Sequence, residues 1–331
     1  MSTAASAKPA VFVARRIFPE VIEKLSAQLD VSHNQADERL SPDELIARVQ
    51  GKQGVFTTGS ERIDARLLAA CPGLRICANM AVGYNNFDVP AMTAAGVLAT
   101  NAPDVLTETT ADGGFALLMA AARRVTEGEH YLRAGRWQRW SYDMLVGQDV
   151  HGATLGIFGM GRIGQAIARR GALGFGMKVL YHNRTRLPAD EEAAVRAEYV
   201  AKDVLLRRAD HVMVVLPLTP QTRHYVGAAE LALMKPSATL VNIGRGGVVD
   251  DAALARALRE GRIAAAGLDV FEGEPQVHPE LLACSNVALT PHIASASLPT
   301  RLAMAHLAAD NLIGYLLHGQ AQTPINPEVM A

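Results

Sequence analysis

The chain has little cysteine and almost no net charge, and each shortage excludes a class of protein. Its three cysteines, Cys71, Cys77 and Cys284, lack metal-ligand spacing and cannot all pair with one another. Buried reduced thiols are therefore expected, with no metal site. The net charge of −1, with both signs spread along the chain, argues against a nucleic-acid partner or a membrane-surface partner.

Long hydrophobic runs and targeting signals are lacking as well. No apolar run approaches the length of a membrane span, and the first ten residues are small and polar. We therefore expect a cytoplasmic protein without a membrane partner. With 331 residues, of which 49% are apolar, the chain is long enough for two globular domains, each with its own core.

The first third of the sequence alternates between strand and helix patterns. Helices are predicted over 19–29 and from an N-cap signal at Ser41-Pro42. Short apolar runs predict strands at 10–14, 54–57, 74–78 and 97–100. This alternation predicts a parallel sheet in a flavodoxin-like layout. The small residues and the glycine at 79–86 follow a strand, where a loop can offer backbone N–H groups to an anion or can simply turn.

The central motif of the chain is a glycine-rich turn after an apolar run at 155–158. Gly159, Gly161 and Gly164 have the spacing G-x-G-x-x-G, and a helical pattern follows them. The first glycine allows a tight turn, the second lets the backbone approach a pyrophosphate, and the third lets helix and strand pack closely. The strand predicted at 178–181 completes a β-α-β unit, so the motif predicts a dinucleotide site.

The end of that second strand lacks the acid that binds the ribose 2′-hydroxyl of NAD. The residues there are Asn183, Arg184, Thr185 and Arg186, and the next acid is Asp190. A carboxylate would repel a 2′-phosphate, whereas Arg184 or Arg186 would pair with it and Asn183 or Thr185 would add hydrogen bonds. We therefore predict NADPH as the preferred cofactor, with NADH used less well. The alternative is a solvated turn with two surface arginines.

A very apolar helix is predicted from Ala111 to about Arg124, before the glycine-rich turn. Such a helix must be widely buried, either between domains or between subunits. Trp137 and Trp140 follow it, and core packing and contact with a partner subunit are both possible for them. A long amphipathic helix is predicted at the end of the chain, over 298–318.

Three segments in the second half place reactive side chains after predicted strands. Arg245 lies among glycines, an acid-rich segment runs from Asp269 to Glu274, and His292 follows the strand at 287–290. Parallel strand ends converge at one edge of a sheet, and Leu216-Pro217 should border the cofactor there. A histidine with a carboxylate partner can donate a proton, and an arginine can hold a carboxylate. The set fits reduction of a 2-keto acid, whereas a core histidine and helix-capping acids are the alternative.

With these segments in place, the chain resembles the D-isomer-specific 2-hydroxyacid dehydrogenases over nearly its whole length. The segments that carry the resemblance are Val82-Gly83, Gly159–Gly164, Asn242–Asp250, Leu268–Pro275 and Thr290–Ser295. Within the family it is most similar to the glyoxylate and hydroxypyruvate reductases, including those that act on 2-ketogluconate. The resemblance implies two Rossmann- or flavodoxin-like α/β domains with parallel sheets, the substrate domain being discontinuous in sequence. The expected domains are 1–101 plus 296–331 for substrate and 102–295 for NAD(P).

The resemblance also implies a role for each matching residue. His292 is the expected proton donor, Glu274 its carboxylate partner, and Arg245 the substrate-binding arginine. The Val82 and Gly83 backbone is expected to clamp the substrate carboxylate. The other positions implied at the cofactor are Arg162, Ile163, Ile243, Gly244, Asp269 and Ala294. On the substrate side the resemblance implies Ser295 and Trp140. It also implies a homodimer formed through the cofactor domain, in which Trp140 reaches the active site of the other subunit.

These observations predict an NADPH-preferring reductase of small 2-keto acids. The first candidate reactions are glyoxylate to glycolate and hydroxypyruvate to D-glycerate. A larger substrate, 2-ketogluconate or an aromatic keto acid, is a second possibility, because the sequence does not set the pocket volume. A nucleotide-sensing corepressor or binding protein is a third, since fold does not fix function.

Overall fold

The computed structural model describes residues 7–331 of the chain, which form two compact units. One unit comprises the residues up to Leu106 together with Ser297–Ala331, and the other comprises Thr107–Ala296. The first unit runs five residues beyond the predicted boundary at 101, and Ala102 is tied to it by its N–H, which donates to the Ala81 carbonyl at 3.0 Å. Most of the N-terminal segment without a targeting pattern lies outside the described residues.

The first unit is built on five parallel strands. They are β1 (Ala10–Val13), β2 (Asp30–His33), β3 (Gly54–Thr57), β4 (Ile76–Asn79) and β5 (Leu98–Thr100). Their order across the sheet is β2-β1-β3-β4-β5, the flavodoxin-like order that the sequence predicts. The central strands are fully buried, as expected of parallel strands covered on both faces.

Helices cover this sheet on both faces. They are α1 (Pro19–Gln28), α2 (Pro42–Val49), α3 (Ala65–Ala70), α4 (Val89–Ala94) and the C-terminal α13 (Leu298–His318), and a 3-10 turn follows at Pro327–Met330. The predicted cap of α2 is confirmed, because Ser41 and Glu44 form a reciprocal capping box. Helix α13 packs closely on β3, where a Cβ added at Gly54 would lie 2.8 Å from the Leu312 side chain.

The second unit is built on seven parallel strands. They are β6 (Thr154–Phe158), β7 (Lys178–His182), β8 (Ala197–Tyr199), β9 (His211–Val214), β10 (Thr239–Asn242), β11 (Ala265–Leu268) and β12 (Val287–Leu289). Their order is β12-β11-β10-β9-β6-β7-β8. This is the dinucleotide-binding order extended by one strand, with its reversal between β6 and β9, so the predicted fold class is confirmed.

The helices of this unit precede or connect its strands. They are α5 (Thr107–Ala122), α6 (Val125–Arg133), α7 (Arg162–Arg169), α8 (Ala189–Ala194), α9 (Lys202–Arg208), α10 (Ala228–Leu233), α11 (Asp251–Arg259) and α12 (Pro279–Ala283), with one π-helical turn at Arg170–Gly174. The apolar α5 begins four residues before the predicted start. It packs on its own sheet, since a Cβ added at Gly114 would lie 2.7 Å from the Ile243 side chain.

Two strands, β2 and β8, were not predicted. Both are edge strands, and their side chains are only partly buried. Their sequences, DVSH and AEY, lack the apolar run that marks a central strand, so pairing with β1 and β7 is what fixes them as strands.

Two further findings bear on the earlier expectations. None of the helices in the described part of the chain is both long and apolar enough to cross a membrane. All three cysteines are unpaired, with Cys71 and Cys77 buried and Cys284 half-buried.

Candidate active site

The glycine-rich turn joins β6 to α7 in the conformation that its spacing predicts. Gly159 has a φ of +98°, and a Cβ there would lie 2.7 Å from the Val215 carbonyl oxygen. A Cβ at Gly164 would lie 2.2 Å from the Gly159 carbonyl oxygen, so any larger residue would push the helix off the turn. These two glycines are therefore required by the geometry of the turn.

The start of α7 suits an anionic ligand. A Cβ at Gly161 would meet nothing within 4 Å, and this residue caps the helix without a side-chain hydrogen bond. Arg162 is exposed and Ile163 is half-buried at the first two helical positions. The open glycine and the positive end of the helix dipole fit the pyrophosphate of a dinucleotide.

The polar residues in the turn after β7 differ in whether they have partners within the unit. Asn183 Oδ1 accepts the Met160 N–H at 2.7 Å, which ties this turn to the glycine-rich loop. Arg186 forms two hydrogen bonds of 2.8 Å with Glu192, and it is therefore engaged within the unit. Arg184 and Thr185 are exposed, and Arg184 has no ion pair among residues 7–331. Of the two arginines considered for a 2′-phosphate, Arg184 is the one that remains available.

Arg245 lies in the tight loop that follows β10. Its Nη1 donates to the Gly244 carbonyl at 2.8 Å, and its side chain is half-buried. Burial lowers the pKa of Arg245, and the negative charge of Glu274 opposes that change. This loop lies in close contact with the loop after β11, since a Cβ added at Gly246 would lie 1.7 Å from the Phe271 carbonyl oxygen. The glycine thus brings the arginine and the acid-rich segment together.

His292 and Glu274 form a hydrogen-bonded pair. The distance from His292 Nδ1 to Glu274 Oε2 is 2.8 Å, and the Phe271 N–H donates to the other carboxylate oxygen at 2.9 Å. Burial alone would raise the pKa of Glu274, but the bonds from His292 and Phe271 outweigh it and hold that pKa below its usual range. His292 Nε2 has no hydrogen-bond partner in the described part of the chain, and the histidine is 45% exposed.

Asp269 organises the loop that carries His292. One of its carboxylate oxygens accepts from the Thr290 hydroxyl and the Ile293 N–H, both at 2.7 Å, and the other accepts from the Ala294 N–H at 2.9 Å. The backbone of His292 has a φ of +55°, a value that residues other than glycine rarely adopt. The resemblance places Asp269 near the nicotinamide, and here both of its oxygens hold this loop in its unusual conformation.

Asp251 is a structural contributor that the sequence did not reveal. This buried residue begins α11, and its Oδ2 accepts the Glu272 N–H at 3.0 Å. It therefore fixes the backbone two residues before Glu274. Burial raises the pKa of Asp251, and Glu272 and Asp250 add to that effect. An acid next to an N-cap reads as a helix-start signal, so the sequence carried no mark of this second contact.

The remaining cofactor candidates lie around the same edge of the sheet. A Cβ at Gly244 would lie 2.5 Å from the Leu216 carbonyl oxygen, so the segment Leu216-Pro217 packs directly on the loop after β10. Ile243 is buried, and its N–H donates to the Val214 carbonyl at 3.2 Å. Ala294 packs on α5, since a Cβ at Gly113 would lie 2.7 Å from the Ala294 Cα.

The substrate-side candidates belong to three separate segments of the chain. Ser295 is half-buried, one residue beyond Ala294. Trp140 is 63% exposed and packs edge-to-face on Tyr142, at 4.6 Å between ring centroids, so it does not contribute to the core of its own unit. Val82 and Gly83 belong to the first unit, where they are half-buried in the loop after β4.

Comparison with known proteins decides the family. Residues 115–294 match the model of the NAD-binding domain of the D-isomer specific 2-hydroxyacid dehydrogenases. The chain is 47% identical over 327 residues to the glyoxylate reductase of Thermococcus onnurineus, covering 98% of this chain and 97% of that protein. The chain belongs to the D-isomer specific 2-hydroxyacid dehydrogenase family.

Further relatives agree with this D-2-hydroxyacid dehydrogenase assignment. The glyoxylate reductase of Aeropyrum pernix is 46% identical over 329 residues, covering 98% of this chain and 97% of that protein. The crystal structure of an NADPH-dependent glyoxylate/hydroxypyruvate reductase from Sinorhizobium meliloti, in complex with NADP and malonate, is similar with a TM-score of 0.86 and 38% identity, covering 96% of this chain and 97% of that one. The protein is thus an NAD(P)-dependent dehydrogenase.

Proposed function

We propose that this dehydrogenase reduces small 2-keto acids to D-2-hydroxy acids, with glyoxylate and hydroxypyruvate as substrates and NADPH as the preferred cofactor. The observation that carries the proposal is the His292–Glu274 pair, 2.8 Å apart, with Arg245 on the adjacent loop. Relatives of 46% and 47% identity are named glyoxylate reductases, which supports the substrate class.

His292 is the proton donor in this proposal. A reduced nicotinamide cofactor, held by the glycine-rich turn and the start of α7, would supply a hydride to the carbonyl carbon of the substrate. His292 Nε2 donates a proton to the carbonyl oxygen, while Glu274 accepts the Nδ1–H and stabilises the protonated ring. The lowered pKa of Glu274 favours its ionised state, so a negative charge faces His292 Nδ1.

The negative charge of the substrate is proposed to be bound by Arg245 and by backbone groups of the first unit. Arg245, half-buried among glycines, presents a guanidinium that suits the carboxylate and the developing charge on the carbonyl oxygen. In the first unit, the backbone of Val82 and Gly83 is proposed to hold the substrate carboxylate. Ser295 is proposed to contact the substrate as well.

NADPH preference rests on the turn after β7. Arg184 is exposed and has no ion pair within residues 7–331, whereas Arg186 is bound to Glu192. We assign the 2′-phosphate contact to Arg184, with Thr185 beside it as a hydroxyl donor and Asn183 fixing the turn to the glycine-rich loop. No carboxylate lies between the end of β7 and Asp190, so nothing in the turn repels the phosphate.

A homodimer through the cofactor domain is also proposed. Helix α6 has no buried residue, and the arm that follows it exposes Trp137, Trp140, Tyr142 and Val146 by half or more of their surfaces. An apolar surface of this kind marks a protein interface. A second copy would cover it and would place Trp140 at the active site of its partner.

Initial rates of keto-acid reduction test the proposed function. Glyoxylate and hydroxypyruvate are each supplied with NADPH and with NADH at matched concentrations, and the oxidation of the nicotinamide is followed by absorbance. We expect turnover of both substrates, faster with NADPH. Turnover confined to 2-ketogluconate or an aromatic keto acid would refute the assigned substrates, and equal rates with both cofactors would refute the assignment of Arg184.

A further inference from the structure

Three consecutive carbonyls in the loop after β4 are held inside the first unit. Each accepts a hydrogen bond from a residue at the end of β4 or just after β5. The bonds run from Ala102 N to Ala81 O at 3.0 Å, from Asn101 Nδ2 to Val82 O at 2.7 Å, and from Asn79 Nδ2 to Gly83 O at 2.9 Å. Two of the three donors are therefore asparagine side chains.

These bonds set the direction of the N–H groups. In a trans peptide the N–H points opposite to the carbonyl of the preceding residue. Holding the three carbonyls inward thus turns the N–H groups of Val82, Gly83 and Tyr84 outward. None of these three N–H groups has a hydrogen-bond partner in the part of the chain that the structure describes. Successive N–H groups that share one direction form a concave site for an anion.

We propose that Asn79 and Asn101 are positioning residues for the substrate carboxylate, because they hold the loop carbonyls inward and so present three N–H donors, the third from Tyr84. This inference rests on the proposed function, in which the Val82 and Gly83 backbone binds that carboxylate. It adds the side chains that create the site and one further donor. Neither asparagine contacts the substrate in this account.

The two asparagines are themselves fixed by the surrounding structure. Thr57 Oγ1 donates to Asn79 Oδ1 at 3.0 Å, and both residues are fully buried. This bond fixes the orientation of the Asn79 amide, whose N–H groups donate to the Gly83 carbonyl and, at 3.4 Å, to Asn86 Oδ1. Asn101 is held through its backbone, because Thr323 Oγ1 donates to the Asn101 carbonyl at 2.6 Å. Buried polar groups with satisfied hydrogen bonds are held in one conformation. The two asparagines can therefore keep the loop after β4 in one conformation.

Variants of Asn101 test this inference, since this residue is half-buried and does not belong to the core. Asn101→Ala removes the donor, and Asn101→Asp keeps the volume but places an acceptor against the Val82 carbonyl. The control is Asn34→Ala, in the same unit, where the Asn34 amide donates to the Ala14 and Glu38 carbonyls at 3.1 and 2.8 Å. The measurements are KM for glyoxylate, the Kd of the substrate analogue oxamate for the NADPH complex, the Kd of NADPH, and Tm.

We expect Asn101→Ala to raise KM and the oxamate Kd roughly tenfold, as loss of one hydrogen bond to an ordering group does, with the Kd of NADPH unchanged. Asn101→Asp should raise both further, although it conserves volume. Asn34→Ala should leave KM for glyoxylate, the Kd of oxamate and the Kd of NADPH as in the wild type.

Two results would overturn the positioning role. One is an oxamate Kd for Asn101→Ala equal to that of Asn34→Ala, and the other is an aspartate variant milder than the alanine variant, which is the order that a packing role predicts. Oxamate binding is measured without turnover. Failure of the proposed function would appear separately, as a wild-type enzyme that binds oxamate but does not reduce keto acids.

Discussion

At the scale of single residues, the site depends on which charges have partners. Glu274 is bound to His292 and to the Phe271 N–H, whereas His292 Nε2 is available to a substrate. Arg186 is occupied by Glu192, whereas Arg184 has no ion pair in the described chain. The sequence was enough to select these residues as candidates for the site. It did not indicate the partner of Arg186, because the pair forms only once the start of α8 lies beside the turn after β7.

Replacing Glu274 by Gln tests the carboxylate partner. The amide oxygen can still accept from His292 Nδ1, but it carries no negative charge beside the ring, so kcat/KM for glyoxylate should fall by about tenfold or more. The lowered pKa of Glu274 means that the pair stabilises the native state above the ordinary carboxyl pKa and loses this effect as pH falls through the native value. The difference in Tm between wild type and variant should therefore shrink in acid. A kcat/KM equal to that of the wild type, or a Tm difference that stays the same in acid, would contradict the pairing.

Replacing Arg184 by Asp tests the 2′-phosphate contact. Loss of a charge-assisted bond and gain of a repulsive carboxylate should lower the NADPH/NADH ratio of kcat/KM by roughly 10- to 100-fold. The control is Arg207→Asp, which makes the same charge change in the last turn of α9, just before β9 begins and thus at the opposite edge of the sheet. If both variants changed the ratio equally, the effect would be long-range charge and the contact would lie elsewhere.

At the scale of elements, the strands with continuous apolar runs were predictable, and so was α13 with both of its ends. The edge strands β2 and β8 were not, since their pairing comes from neighbours rather than from their own composition. The loops that position the site were only partly predictable. The sequence marks Asp251 only as part of a helix start and Asn79 only as the first residue of a loop after a strand. The fold brings their side chains to the Glu272 N–H and the Gly83 carbonyl.

Variants of Asp251 test how α11 supports the catalytic loop. Asp251→Ala removes the acceptor of the Glu272 N–H, which should lower stability by about 1–2 kcal/mol and reduce kcat through a looser Glu274 loop. Asp251→Asn keeps an acceptor oxygen. Because the pKa of Asp251 is raised, its ionisation costs stability as pH rises, so the Asn variant should be as stable as the wild type or more stable at pH 8. Thermal unfolding and steady-state rates measure both effects, and an Asn variant as impaired as the Ala variant would contradict the account.

At the scale of the whole molecule, the proposed dimer is tested on the exposed face of α6. Leu132 is 57% exposed there, and Leu132→Glu should dissociate the dimer because it places a charge in an apolar interface. Leu173→Glu is the control, since Leu173 is 56% exposed on the π-helical turn. Analytical ultracentrifugation should give half the wild-type mass for the first variant only. A monomeric wild type would refute the interface.

The role of His292 as proton donor is tested most sharply by the rate of glyoxylate reduction with NADPH in the wild type and in His292→Ala, with the Kd of NADPH measured alongside. We expect turnover by the wild type and a kcat lower by about 10²- to 10⁴-fold in the variant, because a general acid is lost, with the Kd of NADPH unchanged. A variant that turns over at the wild-type rate would contradict the role of His292 as proton donor.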